Sequence, residues 1–170
     1  MSLLRISLPI EPLTADAFAP YGDVIEVTGR ARNFSINEGF AQRYHDLARI
    51  DVAAGAGQPI VSIFRAKPRS LPMRLHMLER HPLGSQAFMP LSPLPFLVVV
   101  AQAGPVPQLN QIRCFQTADC QGVNYARGTW HHPLIALKAR CDFLVIDRSG
   151  DMQDENCDEY ALDSASVWIE

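Results

Sequence analysis

Little in the sequence ties it to membranes, nucleic acid or a disulfide scaffold. Cysteine is scarce. The four cysteines, Cys114, Cys120, Cys141 and Cys157, form no Cys-x-x-Cys pair. A zinc knuckle and a thioredoxin motif are therefore not supported. A chain of 170 residues can build a core without disulfides. The thiols read as buried or idle groups in a reducing cytoplasm. Charged residues make up only 19% of the chain, the formal net charge is −3, and no dense Lys/Arg patch occurs. That balance argues against nucleic-acid binding. No apolar run reaches the length of a membrane span. Met1 to Ile10 holds one arginine, no long apolar region and no small-residue cleavage site. No signal peptide is expected, and a cytoplasmic location is. There is no Gly-x-Ser-x-Gly, no phosphate loop and no dinucleotide fingerprint. Serine hydrolase, nucleotide-cofactor and Rossmann readings have no support. Internal repeats, low-complexity tracts and interdomain linkers are also missing.

The remaining composition is globular, with 48% hydrophobic residues, and the length fits one domain over residues 1–170. Helical periodicity is weak outside Ala15 to Ala19, which Thr14 can cap and Pro20 stops, and a second segment from Leu47 to Ala54. Thirteen prolines punctuate short apolar runs. Val24 to Val27 reads as a strand, and Phe34 to Leu47 as a hairpin turning at Asn37-Glu38-Gly39. Ile60 to Ala66 is a β-branched run ended by Pro68 and Pro72. Met73, Leu75 and Met77 share one face if Leu71 to His81 is extended. Phe96 to Ala101 is continuously apolar, which predicts a strand buried on both faces. Ile112 to Phe115 is another strand. Leu134 to Leu137 and Phe143 to Asp147 read as a pair joined across Lys138-Ala139-Arg140. The acidic stretch after Gly150 reads as a surface loop leading to Ala161–Ile169. Together these features predict a mainly β fold, a barrel or sandwich with a few short helices.

Four of the five histidines fall in two stretches, Leu75 to Leu91 and Val123 to Leu134. Glu79 and His81 lie two apart, so on a strand they project together. Pro82 and Gly84 then turn the chain and bring Gln86 back. The spacing resembles the first motif of the cupins, His-x-His-x(3,4)-Glu, with Glu79 in place of the first histidine and Gln86 in place of the glutamate. Ala126-Arg127-Gly128-Thr129-Trp130-His131 resembles the second cupin motif, Pro-x-Gly-x-x-His, with Ala126 for the proline. A cupin-like β-barrel (double-stranded β-helix) would set Glu79, His81, Gln86 and His131 around one cavity. Two imidazoles, a carboxylate and an amide could hold a divalent ion. Regular alternation turns His76 away from Glu79. It also admits only one of His131 and His132 to the cavity, with His131 favoured. Arg65 and Lys67 close a strand, where Arg65 could bind an anion and Lys67 reads as solvated.

Glu79-Arg80-His81-Pro82-Leu83-Gly84-Ser85-Gln86-Ala87-Phe88-Met89-Pro90 closely resembles the signature of the ureidoglycolate lyase family. So do Arg43-Tyr44-His45-Asp46-Leu47-Ala48, Gly122-Val123-Asn124-Tyr125 with Trp130-His131-His132-Pro133-Leu134, and Asp142-Phe143-Leu144 with Ile146-Asp147-Arg148. Ala17 to Ile25 is similar to that family's start. The resemblance implies a cupin-like homodimer in the cytoplasm, active in allantoin and purine catabolism. It implies cleavage of (S)-ureidoglycolate to glyoxylate and urea, and a divalent metal, nickel, with no nucleotide cofactor. Cleavage needs a base for the hydroxyl proton, an acid for the departing nitrogen and a cation for the carboxylate. In one scheme His81 or His131 is the base, Glu79 tunes the imidazole, Arg65 clamps the carboxylate, and Gln86 and Asn124 orient the ureido group. In the other, Glu79, His81, Gln86 and His131 are metal ligands. A non-catalytic cupin binding a small carboxylic acid, and a metal-dependent cupin isomerase or dioxygenase, are the alternatives of other classes.

Overall fold

Short apolar runs fenced by proline and glycine form strands almost throughout the computed structural model, which describes residues 4–150 and 156–170. In chain order the elements are β1 (Leu4–Leu8), β2 (Ile10–Pro12), α1 (Ala15–Phe18), β3 (Gly22–Ile25), β4 (Asn33–Ile36), β5 (Ala41–Tyr44) and β6 (Gln58–Ala66). They continue with β7 (Met73–Leu75), β8 (Met77–Arg80), β9 (Gln86–Pro90), β10 (Phe96–Ala101), β11 (Arg113–Gln116) and β12 (Gly122–Tyr125). The chain ends with β13 (Trp130–His131), β14 (Ile135–Ala136), β15 (Cys141–Ser149), β16 (Asp158–Ala161) and β17 (Ala165–Ile169). Thr14 caps the helix as predicted, its Oγ1 accepting from the Ala17 amide at 3.2 Å. No helix among the described residues is long and apolar enough to cross a membrane.

Two sheets carry the main core. The five-stranded sheet runs β3-β12-β9-β15-β6; the other runs β16-β8-β13-β10-β11-β2, with β14 also paired to β10. Phe88, Tyr125, Phe143 and Val145 from the first meet Phe96, Val98, Val100 and Phe115 from the second. A third sheet, β1-β17-β7, covers the far side of the second. There Leu97, Val99, Ala101 and Trp130 pack on Leu8, Leu75, Val167 and Ile169. β10 therefore feeds alternate residues into two cores, and all six of its residues are buried. This is the physical reason for its unbroken apolar run. Each fully buried Val, Leu or Phe in it contributes roughly 1.5–3 kcal/mol of burial free energy. The mainly β expectation is met.

Several local expectations change. The stretch from Leu71 to His81 is two strands, not one. Exposed His76 breaks it, so β7 joins the third sheet and β8 the second. Leu75 and Leu78 are buried, and Met77 is only half-buried, because the break resets the alternation. The pair expected across Lys138-Ala139-Arg140 does not form. β14 pairs with β10, whereas β15 pairs with β6 and β9. The segment there crosses between sheets instead of closing a hairpin. The segment expected as helix from Leu47 to Ala54 is irregular up to Ala53, and Ala54 begins the 3₁₀ turn Ala54–Ala56. The β4–β5 hairpin forms as read. The acidic stretch after Gly150 begins outside the described residues, but its end is ordered as β16 on the edge of the second sheet beside β8.

Candidate active site

The two histidine-bearing stretches do meet. β8 and β13 are antiparallel neighbours with Glu79 directly opposite His131. The Gly128 amide donates to the His81 carbonyl at 2.9 Å, tying the Gly-x-x-His segment to the end of the first stretch. Gly128 has φ +81°, a conformation glycine adopts without a side-chain penalty. Pro82 and Gly84 sit in the turn, and Gln86 opens β9 in the facing sheet. The polar group thus lies between the two sheets, with its members delivered by strands of both.

Its geometry follows from three hydrogen bonds. His131 is buried, and its Nδ1–H donates to the Thr129 carbonyl at 3.0 Å. A carbonyl only accepts, so the neutral ring keeps a bare Nε2. That nitrogen has no hydrogen-bond partner among the described residues and faces Glu79 Oε1 at 3.5 Å. His81 has acceptor oxygens at both nitrogens, and the shorter contact takes the proton: Nδ1–H donates to the Asn156 carbonyl at 2.7 Å, and Nε2 faces Gln86 Oε1 at 3.2 Å. Gln86 is oriented by its Nε2, which donates to Asp147 Oδ2 at 3.2 Å. The Tyr125 ring stacks on His131 at 4.2 Å and 12°, fixing the imidazole plane. The His81 and His131 rings are 5.2 Å apart.

Contact with His131 holds the Glu79 carboxyl below its ordinary pKa, against the opposing effect of burial. Burial pushes His131 down, while Glu79 opposes it. An ionised carboxylate therefore faces the unprotonated Nε2 of His131. Gln86 Oε1 lies beside His81 Nε2, so four groups carrying electron pairs converge here. Ligand atoms of Glu79, His81 and His131 all lie within 4.8 Å of one another. The chemistry of this set suits a divalent cation, with imidazole and oxygen ligands.

A cavity of about 570 Å³ opens onto the group. Glu79, Gln86, His131 and His132 line it, with Phe64, Phe88 and Leu134 as apolar wall. His81 does not line it and reaches the group only through Nε2. His132 does line it, against the expectation from alternation. β13 is only two residues long and ends at His131, so strict alternation is not enforced beyond it. His132 Nδ1–H donates to the Pro133 carbonyl at 2.8 Å, which makes Nε2 the unprotonated nitrogen of the neutral ring. Burial pushes its pKa down to about 4, so the ring is neutral near pH 7.

Of the two expected substrate contacts, Asn124 lies away from the cavity and Arg65 lies at its border. Asn124 is buried on the side of β12 opposite Tyr125. Its Nδ2 donates to Asp23 Oδ2 at 3.0 Å and to the Arg49 carbonyl at 2.9 Å. It does not line the cavity. Arg65 borders the cavity, but its guanidinium is turned to Asp142, with Nε and Nη2 each 2.8 Å from a carboxylate oxygen. The neighbouring cations Lys67 and Arg69 also border it and have no ion pair among the described residues. Arg69 escapes a reading of the sequence because Pro68 separates it from the strand. Asp147 and Asn156 escape it because only tertiary contacts bring them to Gln86 and His81.

A family model described as ureidoglycolate lyase matches residues 5–170. A protein named ureidoglycolate lyase from Burkholderia mallei is 55% identical over 163 residues, covering 96% of this chain and 93% of that one. One of the same name from Pseudomonas aeruginosa is 54% identical over 154 residues, covering 91% and 89%. Among solved structures, a dTDP-6-deoxy-D-glucose-3,5-epimerase from Legionella pneumophila aligns with a TM-score of 0.43 and 15% identity, over 77% of this chain and 69% of that one. The match over residues 5–170, with relatives above half identity, shows that the chain belongs to the ureidoglycolate lyase family.

Proposed function

We propose that this protein is a ureidoglycolate lyase that cleaves (S)-ureidoglycolate to glyoxylate and urea, in allantoin and purine catabolism in the cytoplasm. The observation that carries the reading is the convergent donor set of Glu79, His81, Gln86 and His131 beneath a small cavity edged by the cations Lys67 and Arg69. That combination suits a small hydroxy acid. Glu79, His81, Gln86 and His131 would hold a divalent ion, nickel by the family resemblance. When bound, such an ion polarises the substrate hydroxyl and lowers its pKa.

The chain's own residues do the rest. Lys67 and Arg69 hold the carboxylate, the role that the sequence suggests for Arg65, whose guanidinium is committed to Asp142. The apolar wall of Phe64, Phe88 and Leu134 lines one side of the space where the bond breaks. His132 Nε2 takes the hydroxyl proton as the O–H electron pair becomes the carbonyl of glyoxylate. The C–N bond breaks with its electrons on the urea nitrogen, which takes that proton back from His132. A low pKa makes His132 a neutral acceptor and, once protonated, a ready donor. The assignment moves the base from His81 or His131 to His132, because the first two present their free nitrogens to the donor group.

The test is product analysis. Purified protein given (S)-ureidoglycolate should release glyoxylate and urea in equal amounts. EDTA should abolish release and nickel restore it. Ammonia as the nitrogen product would reject the reaction, and full activity after complete chelation would reject the metal. No urea release, with binding of a small carboxylic acid, would favour a non-catalytic binding protein.

We also propose a homodimer. Among the described residues β6 is an edge of the five-stranded sheet, and its Val61 and Ile63 are 67% and 54% exposed. Such an edge, with apolar side chains and no lysine on it, calls for cover by a second chain. Sedimentation should give a dimer at micromolar concentration, and a monomer throughout that range would overturn the proposal.

A further inference from the structure

Three contacts bind the end of the acidic segment to the site. The Asn156 carbonyl accepts from His81 Nδ1 at 2.7 Å. Asn156 Oδ1 accepts from the Leu83 amide at 2.8 Å. Two residues on, Asp158 Oδ2 takes Arg80 Nε and Nη2, each at 2.8 Å, in register with the β8–β16 pairing. Leu83 lies in the Pro82–Gly84 turn, between His81 and Gln86. One residue therefore touches both the ring and the turn that separates two members of the donor set.

We infer that Asn156 is a positioning residue that locks His81 as its Nδ1–H tautomer and braces the turn carrying Gln86. The inference rests on the reading of Glu79, His81, Gln86 and His131 as a ligand set. Each half has a separate cause. Both ring nitrogens face oxygens that only accept, and the proton goes to the shorter contact, Nδ1 to the Asn156 carbonyl at 2.7 Å against Nε2 to Gln86 Oε1 at 3.2 Å, which leaves Nε2 bare. The carbonyl itself is held by the side chain of the same residue. Asn156 Oδ1 on the Leu83 amide fixes the peptide plane, and β16 anchors the chain beyond it. Without the side chain, the carbonyl is free to turn from the ring, and the turn loses its brace. His131 needs no such brace, because its carbonyl partner, Thr129, is local in its own segment. His81 takes its partner from 75 residues away.

The experiment uses the full chain with ¹⁵N-labelled histidine, without substrate, and nickel titration by calorimetry. Wild type should show His81 as a single Nδ1–H tautomer. Asn156→Ala should show a mixture of tautomers and bind nickel about 10–100-fold more weakly. Asn156→Asp keeps an oxygen that can accept the Leu83 amide, and should restore both. Circular dichroism and melting of the three proteins separate loss of position from loss of fold. An unchanged tautomer and unchanged nickel affinity in Asn156→Ala would overturn the inference. So would Asn156→Asp being as defective as Asn156→Ala while folded. If wild type releases no urea but the tautomer shifts as stated, the positioning role stands and the lyase reading falls.

Discussion

His131→Ala should lower kcat by about 10²-fold or more and remove high-affinity nickel binding. His131 is buried, is oriented by Thr129 and Tyr125, and presents its bare Nε2 to Glu79 at 3.5 Å. Alanine takes away the nitrogen around which the other donors are arranged. His81→Ala should behave alike, because its Nε2 faces Gln86 in the same group. His132→Ala should separate the roles, losing about 10²-fold in kcat while nickel affinity stays near wild type. Arg69→Ala should raise KM with less effect on kcat, as expected for a residue holding the carboxylate. His76→Ala should change little, since His76 is exposed at the break between β7 and β8. The measurement is steady-state urea release with parallel metal titration, with circular dichroism as the folding control. A crippled His76→Ala beside a normal His81→Ala would reject the site.

Gly22→Ala should be the most damaging single methyl group that can be added outside the site. Gly22 has φ +145°, and a Cβ there would lie 1.9 Å from the Asn124 carbonyl oxygen and 2.8 Å from the Ala126 amide nitrogen. Both obstacles are backbone, so no side chain can swing aside. Gly22 pairs with Tyr125 across β3 and β12, and Tyr125 is the ring that stacks on His131. The strands must part, which carries Tyr125 with them. The expected loss is about 3 kcal/mol or more, a fall in Tm of roughly 6–12 °C. Activity at low temperature should fall as well. Gly29→Ala, which meets nothing within 4 Å, is the control and should stay within about 0.5 kcal/mol of wild type. A Gly22→Ala protein that melts with wild type would mean that the close approach of β3 and β12 is wrong.

Patterns that act over a few residues are legible in the sequence. The β10 run announces a strand buried on both faces, Thr14 announces its helix, and Gly128 with His131 announces the second half of the donor set. Glu79 and Gln86 fall where expected because alternation and a Pro/Gly turn are local devices. Most of the placements that the sequence does not announce depend on partners far along the chain. Asn124 reads as a substrate contact, but the pairing of β12 with both β3 and β9 sends Tyr125 to the cavity and Asn124 to Asp23. Arg65 reads as free until β15 brings Asp142 beside it. The break at His76 shifts the parity of the residues after Leu75, and only the assignment of β7 and β8 to different sheets reveals it. His132 is excluded only if alternation is carried one residue past the end of β13.

The parallel pairing of β1 with β17 has a consequence for how the molecule is made. Arg5 and Glu170, 165 positions apart, are joined by an ion pair at the end of that ladder. During synthesis β1 leaves the ribosome early and has no ladder partner until β17 emerges. Closing so long a loop must precede the contacts that reward it, which places this topology among the slower folders. Until then the outer faces of Leu97, Val99 and Trp130 are uncovered. Crowded expression should therefore aggregate the nascent chain more readily than the finished protein.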